Sequence, residues 1–119
     1  MTTHKCTHAE RIAKLNDQLR KQPMNRSLGT VLITAGLNAL GPPFVAQVLV
    51  AIAAMAPDDF KTGNDPYGER DFNSFRVGDS VCLFKIDYYA KDDPHSGSDD
   101  PSDPAKTDRV MTVMLASDY

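Results

Sequence analysis

Two strand-like runs near the C-terminal end constrain the fold more than any other part of the chain. In the first, residues 80–89, apolar side chains alternate with polar ones, which is typical of a strand with one buried face and one solvent-exposed face. The second, residues 108–116, is apolar on both faces, which indicates a central strand. Between them, residues 90–107 are rich in proline, serine and aspartate and are predicted to be a long acidic loop. We therefore expect the two runs to pair antiparallel across this loop.

Two helices are predicted in the N-terminal half. Residues 7–22 start with the Thr-x-x-Glu spacing of a capping box and continue with apolar residues at three- and four-residue steps. The second helix, residues 44–55, follows two prolines and is apolar nearly all round, so its own sheet or a partner must cover it. The β-branched residues in this run would also suit a strand, but its length favours a helix. A short strand is predicted over residues 28–34.

These elements predict a single α+β domain over residues 1–119. An N-terminal helix and a central apolar helix would pack on a mainly antiparallel sheet of about three to four strands. Residues 1–6 are predicted to be a frayed end, because they have neither the apolar core of a signal peptide nor enough ligands for a zinc site. The longest apolar run is too short to span a membrane. Cys6 and Cys82 form no paired motif, which favours a reducing, cytoplasmic location.

Charge is unevenly distributed along the chain, which has a net charge of −3. Residues 1–56 carry a charge of +4 and residues 57–119 a charge of −7. The acidic half is unsuited to binding phosphate groups and could instead contact a basic partner. Alternatively, it is a solvated surface that keeps the protein soluble. The first helix and its flank offer too few cations for a DNA-binding footprint: Lys14, Arg20, Lys21 and Arg26.

The most distinctive polar segment is residues 64–72, Asn-Asp-Pro-Tyr-Gly-Glu-Arg-Asp-Phe. Hard divalent cations take oxygen ligands, so its carboxylates could converge on a metal with one from the first strand-like run. Lys85 would then stabilise developing charge in a metal-dependent hydrolase. The spacing matches no known cation-binding loop. The four candidate carboxylates are Asp65, Glu69, Asp71 and Asp87.

A structural turn is the alternative interpretation of the same segment. Proline and glycine would shape it, and Asp71 or Glu69 would pair with Arg70 or Arg109.

Tyrosines beside these carboxylates suggest an aromatic binding surface, since tyrosine combines contact area with a polar tip. Tyr67, Phe72, Tyr88 and Tyr89 could form it, unless Tyr88 belongs to the core and Tyr89 is half-exposed. We predict a non-enzymatic interaction protein that binds a basic protein partner, with no catalytic residues, metal or cofactor, no direct nucleic acid or membrane contact, and a homodimer as one option. The predicted partner-binding residues are Asp65, Tyr67, Glu69, Asp71, Asp87, Tyr89, Asp99, Asp100 and Asp103.

Two blocks in the chain carry a family resemblance: Asn-Asp-Pro-Tyr-Gly-Glu at 64–69 and Lys-Ile-Asp-Tyr-Tyr at 85–89. With weaker matches elsewhere from residue 9 onward, the chain resembles a family of unknown function. Its members are small proteobacterial proteins, often carried on plasmids and other mobile elements. Arg70 stands where the family has histidine, and Asn73 where it has glycine. The resemblance implies no known reaction, but its setting implies a counter-defence role, such as an anti-CRISPR or anti-restriction inhibitor of a nucleic-acid-handling host complex.

Overall fold

The computed structural model describes residues 7–60 and 65–119, which contain three α-helices and five β-strands. The helices are α1 (His8–Lys21), α2 (Ala35–Asn38) and α3 (Pro42–Ala53). The strands are β1 (Thr30–Ile33), β2 (Phe72–Val77), β3 (Ser80–Ala90), β4 (Asp93–Gly97) and β5 (Thr107–Leu115). The predicted α+β class is therefore confirmed. The predicted frayed end at residues 1–6, with Cys6, and Asn64 of the polar segment lie outside the described residues.

The strands form one sheet in the order β1-β5-β3-β2, and β4 pairs with the end of β3. β1 runs parallel to β5, whereas the other neighbours are antiparallel. The predicted antiparallel pairing of the two C-terminal runs is confirmed, with Phe84 opposite Val113. β5 lies between β1 and β3, so the predicted central position of this strand is confirmed.

The sheet has five strands rather than three to four, because neither β2 nor β4 was expected. β2 and β3 form a hairpin with a two-residue connection, in which Gly78 takes a positive φ of 59° that suits such turns. β4 lies within the segment 90–107 that the composition marks as a loop. Its residues are exposed and pair only with Tyr89 and Ala90, so backbone pairing rather than side-chain burial makes it a strand.

The helices pack on one face of the sheet and enclose the core. α1 starts as the capping box predicts, with the Thr7 hydroxyl accepting from the Glu10 amide at 3.1 Å. Despite its β-branched residues, the run after Pro42 and Pro43 is helical. The described helices include none that is both long and apolar enough to cross a membrane. Core residues include Leu19, Leu37, Val48, Ile52, Phe60, Cys82, Phe84, Ile86, Met111 and Val113.

Candidate functional site

Residues 65–71, here called the acidic turn, lead into β2 at one edge of the sheet. The Asp65 carbonyl accepts from the Gly68 amide at 3.2 Å, and the Asp65 carboxylate accepts from the Arg70 amide at 2.9 Å. Gly68 and Arg70 both have positive φ angles, of 72° and 52°. That conformation costs a non-glycine residue about 1–2 kcal/mol, so other contacts must hold Arg70 in place.

Asp17 on α1 supplies those contacts. Arg70 donates to its two carboxylate oxygens from Nε at 2.9 Å and from Nη2 at 2.6 Å, which is a bidentate ion pair. The fully buried Arg20 donates to the same carboxylate. Burial alone would raise the pKa of Asp17, but the hydrogen bonds from Arg70 and Arg20 outweigh it and lower that pKa. The acidic turn is therefore anchored to α1 by an ionised carboxylate between two arginines.

Arg20 extends this anchor into the core. Its Nη1 donates to the carbonyl oxygens of Ile52 at 3.2 Å and Met55 at 3.5 Å, and its guanidinium lies 4.9 Å from the centre of the Phe60 ring. Burial is the main cause that lowers the pKa of Arg20, while Asp17 raises it. A cation this deep in the protein needs Asp17 and these two carbonyl groups to offset its lost hydration.

A second polar cluster centres on Asn16, which is fully buried. Its amide nitrogen donates to the Glu69 carbonyl at 3.0 Å and to the Tyr88 hydroxyl at 2.9 Å, and its oxygen accepts from Arg109 Nε at 3.0 Å. The Tyr88 hydroxyl donates to the Glu69 carboxylate at 2.8 Å. Arg109 also donates to the Pro101 carbonyl. Asn16 and Arg109 thus link the acidic turn to the β4–β5 loop, residues 98–106.

The pKa of Asp71, in the acidic turn, is raised in the folded protein. Burial raises its pKa to about 6, and the negative charges of Glu69, Asp65 and Asp87 add to the effect. Its own backbone amide opposes the shift. The negative charges of the other three predicted carboxylates therefore act on Asp71, and its pKa of about 6 lies well above the ordinary value of 3.8.

The carboxylates do not, however, assemble into a metal centre in the described parts of the chain. Across residues 7–60 and 65–119, no group of three or more His, Cys, Asp or Glu side chains is placed to hold a metal ion. Asp87 instead pairs with Lys85, with 3.0 Å between Nζ and Oδ2. That pair raises the pKa of Lys85.

The predicted aromatic surface is divided between two faces of the sheet. Tyr88 packs against the core and belongs to the Asn16 cluster, whereas Tyr89 and Asp87 lie on the face that points away from it. Phe72 also lies on that outer face, with its ring centre 6.1 Å from that of Tyr119. Tyr67 extends from the acidic turn with 78% of its surface exposed.

Two of the three predicted aspartates of the β4–β5 loop shape the loop itself. Asp100 accepts from the amide and hydroxyl of Ser102, which lowers its pKa, and Asp103 accepts from the Ala105 amide at 2.9 Å. Asp99 is exposed. The loop is thus held by its own Asx turns, and Asp100 additionally lies 3.5 Å from His8 Nε2 at the start of α1.

The structural-turn interpretation expected the wrong partner for the Arg70 side chain, because the guanidinium pairs with Asp17 rather than with Glu69 or Asp71. Sequence reasoning missed Asn16, Asp17 and the structural role of Arg20. One signal was present, because Asn16 follows Ile12 by four residues and so interrupts the apolar stripe of α1 at a core position. A polar residue at such a position usually serves a buried network.

Comparison with known proteins identifies a protein family. The model of a family described as "Protein of unknown function (DUF3768)" matches residues 33–118, which is well over half of the chain. No curated protein matches, and no solved structure matches. The family resemblance expected from residues 64–69 and 85–89 is confirmed at the level of a family of unknown function.

Proposed function

The chain belongs to the DUF3768 family of proteins of unknown function. We propose that it is a non-enzymatic interaction protein. Its acidic turn and β4–β5 loop would together bind a basic surface of a protein partner. One observation carries the proposal: the buried Asn16 and Arg109 join Glu69 of the turn to Pro101 of the loop. Two acidic segments from distant parts of the chain are therefore held in a fixed relation.

The exposed Tyr67 is the aromatic anchor of this proposed surface. It lies in a turn that Arg70 and Asp17 hold in one conformation, so little backbone freedom remains to be lost on binding. Tyrosine itself adds contact area at low entropic cost, because it has only two side-chain torsions. An exposed aromatic on a braced turn suits recognition better than it suits stability.

Charge would steer the partner to this surface. Asp65, Asp71 and Asp99 would attract cationic side chains, and such attraction accelerates encounter and weakens as salt rises. Together with the mobile-element setting that the sequence resemblance implies, this favours a cytoplasmic counter-defence inhibitor. Its partner would be a basic host protein in a nucleic-acid-handling defence complex.

Affinity capture from host lysate, read by quantitative mass spectrometry, tests the proposal with matched variants. Tyr67→Ala and Asp99→Asn change exposed side chains that hold no part of the buried network. Leu40→Ala, which truncates another exposed apolar side chain, is the control. We expect wild type and the control to retain a basic partner that Tyr67→Ala loses, with capture falling as salt rises from about 0.05 to 0.3 M. Equal capture by Tyr67→Ala, or capture indifferent to salt, would refute the proposal.

A metal-dependent hydrolase remains the competing hypothesis for the same carboxylates, with Lys85 as the cationic group. Calorimetric titration with Mg²⁺ and Mn²⁺ separates the two hypotheses. Binding heat that disappears in Asp71→Asn would favour the hydrolase, whereas no heat at millimolar metal would favour recognition.

A further inference from the structure

The outer edge of β1 is open in the described part of the chain. β1 is the terminal strand of the sheet and pairs on one side only, with β5. The Thr34 amide donates to the Val113 carbonyl at 3.1 Å, which fixes the direction of the strand's hydrogen bonds. Because alternate residues of a strand bond to opposite sides, Leu32 and Thr34 face β5, and the backbone groups of Val31 and Ile33 face outward.

β1 has only four residues, and a short edge strand is one way in which proteins limit edge pairing. Its own sequence carries none of the other protective features of a strand, which are charged side chains, proline and bulges. β1 reads Thr-Val-Leu-Ile, pairs in continuous register, and lies in a segment, residues 27–57, that contains no Asp, Glu, Lys, Arg or His. An uncharged, regular and β-branched edge is a template for pairing with another strand.

Apolar surface continues beside the edge. Leu32 is 51% exposed on one side of β1. On the other side, a groove of about 210 Å³ is lined mostly by apolar residues, among them Met24, Val31, Ile33 and Leu49 of α3, and also by Arg26. Backbone donors flanked by apolar surface on both sides match the requirements for strand addition, in which main-chain bonds supply affinity and side-chain pockets supply specificity.

We propose that a second copy of this chain occupies the edge, so that two sheets join through antiparallel β1 strands. The choice of occupant rests on charge. Arg26 lines the groove beside Thr30, at the start of β1, and Asp118 accepts from the Thr34 hydroxyl at 2.7 Å, just past its end. Antiparallel pairing brings the Arg26 end of each strand towards the Asp118 end of the other, so opposite charges of the two copies approach each other. The register that uses both outward-facing residues pairs Val31 with Ile33 of the partner and places the two-fold axis at Leu32. The two Leu32 side chains then face each other as a non-hydrogen-bonded pair, about 4.5–5.5 Å apart at Cβ.

This interface would leave the acidic turn of the proposed recognition surface free. The acidic turn leads into β2, at the opposite edge of the sheet from β1. The dimer would therefore display two acidic turns, and its existence does not depend on the proposed function.

Analytical ultracentrifugation of the purified full chain across a concentration series tests the dimer with a charge-swap pair. Leu32→Lys and Leu32→Glu each place like charges at the two-fold axis, so each variant alone should be monomeric. Mixing them in equal amounts should restore the dimer, because opposite charges then face each other. Val81→Glu, which adds the same charge at an exposed position of β3, should stay dimeric like wild type.

Each outcome has a definite meaning. A concentration-dependent dimer that the single variants lose and the mixture regains supports the β1 interface. A monomeric wild type at all concentrations overturns the proposal, and so does a dimer that Leu32→Lys leaves intact. Circular dichroism of both variants shows whether they are folded, and a mixture that stays monomeric although both are folded also overturns it.

Discussion

Arg109 donates from Nε to the side-chain oxygen of Asn16 at 3.0 Å, although 93 positions separate them in the chain. Both residues are almost completely buried. Their contact cannot be predicted from the local periodicity of the sequence. The bond joins α1 to β5 and connects the two acidic segments. Five predictions test how the buried and partly buried polar groups affect the stability of the fold.

Asn16→Ala should lower the free energy of unfolding by about 2–4 kcal/mol, because Arg109 Nε and the Glu69 carbonyl lose their bonds to Asn16 and the Tyr88 hydroxyl loses one of its two bonds. Urea unfolding followed by circular dichroism measures the change. Gln18→Ala, at an exposed position of the same helix, should change stability by less than about 0.5 kcal/mol. Similar effects of both substitutions would show that the Asn16 cluster contributes little.

Tyr88→Phe should destabilise the protein by about 1–2 kcal/mol, since the lost hydroxyl both accepts from Asn16 and donates to Glu69. Tyr89→Phe is the neighbouring control on the other face of the sheet and should be nearly neutral. Thermal unfolding of the two variants gives the melting temperatures to compare. Equal melting temperatures would contradict the assigned role of the Tyr88 hydroxyl.

Asp17→Asn should cost about 2–3 kcal/mol at neutral pH, because the fully buried Arg20 loses its counter-charge and Arg70 its bidentate partner. Asp92→Asn, at an exposed site, should change stability by less than about 0.5 kcal/mol. Chemical denaturation at pH 7 gives both values.

The same carboxylate also predicts an acid dependence. The pKa of Asp17 is lowered in the folded protein, so its contribution is present above its ordinary value of 3.8 and is lost as the pH falls through the folded-state value. The difference in unfolding free energy between wild type and Asp17→Asn should therefore narrow in acid. A constant difference down to pH 2–3, roughly the range below the ordinary carboxyl value, would contradict an ionised Asp17.

Asp71→Asn should change the stability in the opposite direction to Asp17→Asn. The pKa of Asp71 is raised to about 6, so the folded state favours the protonated carboxyl, and stability falls as the pH rises from about 4 through 6. Asparagine removes the charge, and the variant should be more stable than wild type at pH 7 by about 1–2 kcal/mol after allowance for solvent screening. The gain should vanish near pH 4. A stability loss at pH 7 would show that the carboxylate makes a favourable contact.

Much of the architecture follows from sequence patterns alone. Alternation in residues 80–89, the two-sided apolar run at 108–116 and the capping box of α1 each identify an element, because burial on one or two faces leaves a local period in the sequence. The β2–β3 hairpin also had a local signal in Gly78, whereas β4 had none, since its exposed residues are strand only through backbone pairing.

The sequence by itself thus determined the α+β class, the two long helices, the antiparallel pair of central strands and the location of the acidic turn. Only the tertiary structure decided which polar groups meet: Arg70 with Asp17, Asn16 with Arg109 and Tyr88, and β1 at an open edge. The physical reason is the range of the interactions. A hydrophobic face repeats every two or three to four residues, whereas a buried hydrogen bond pairs single residues whose separation along the chain is set by how the elements pack.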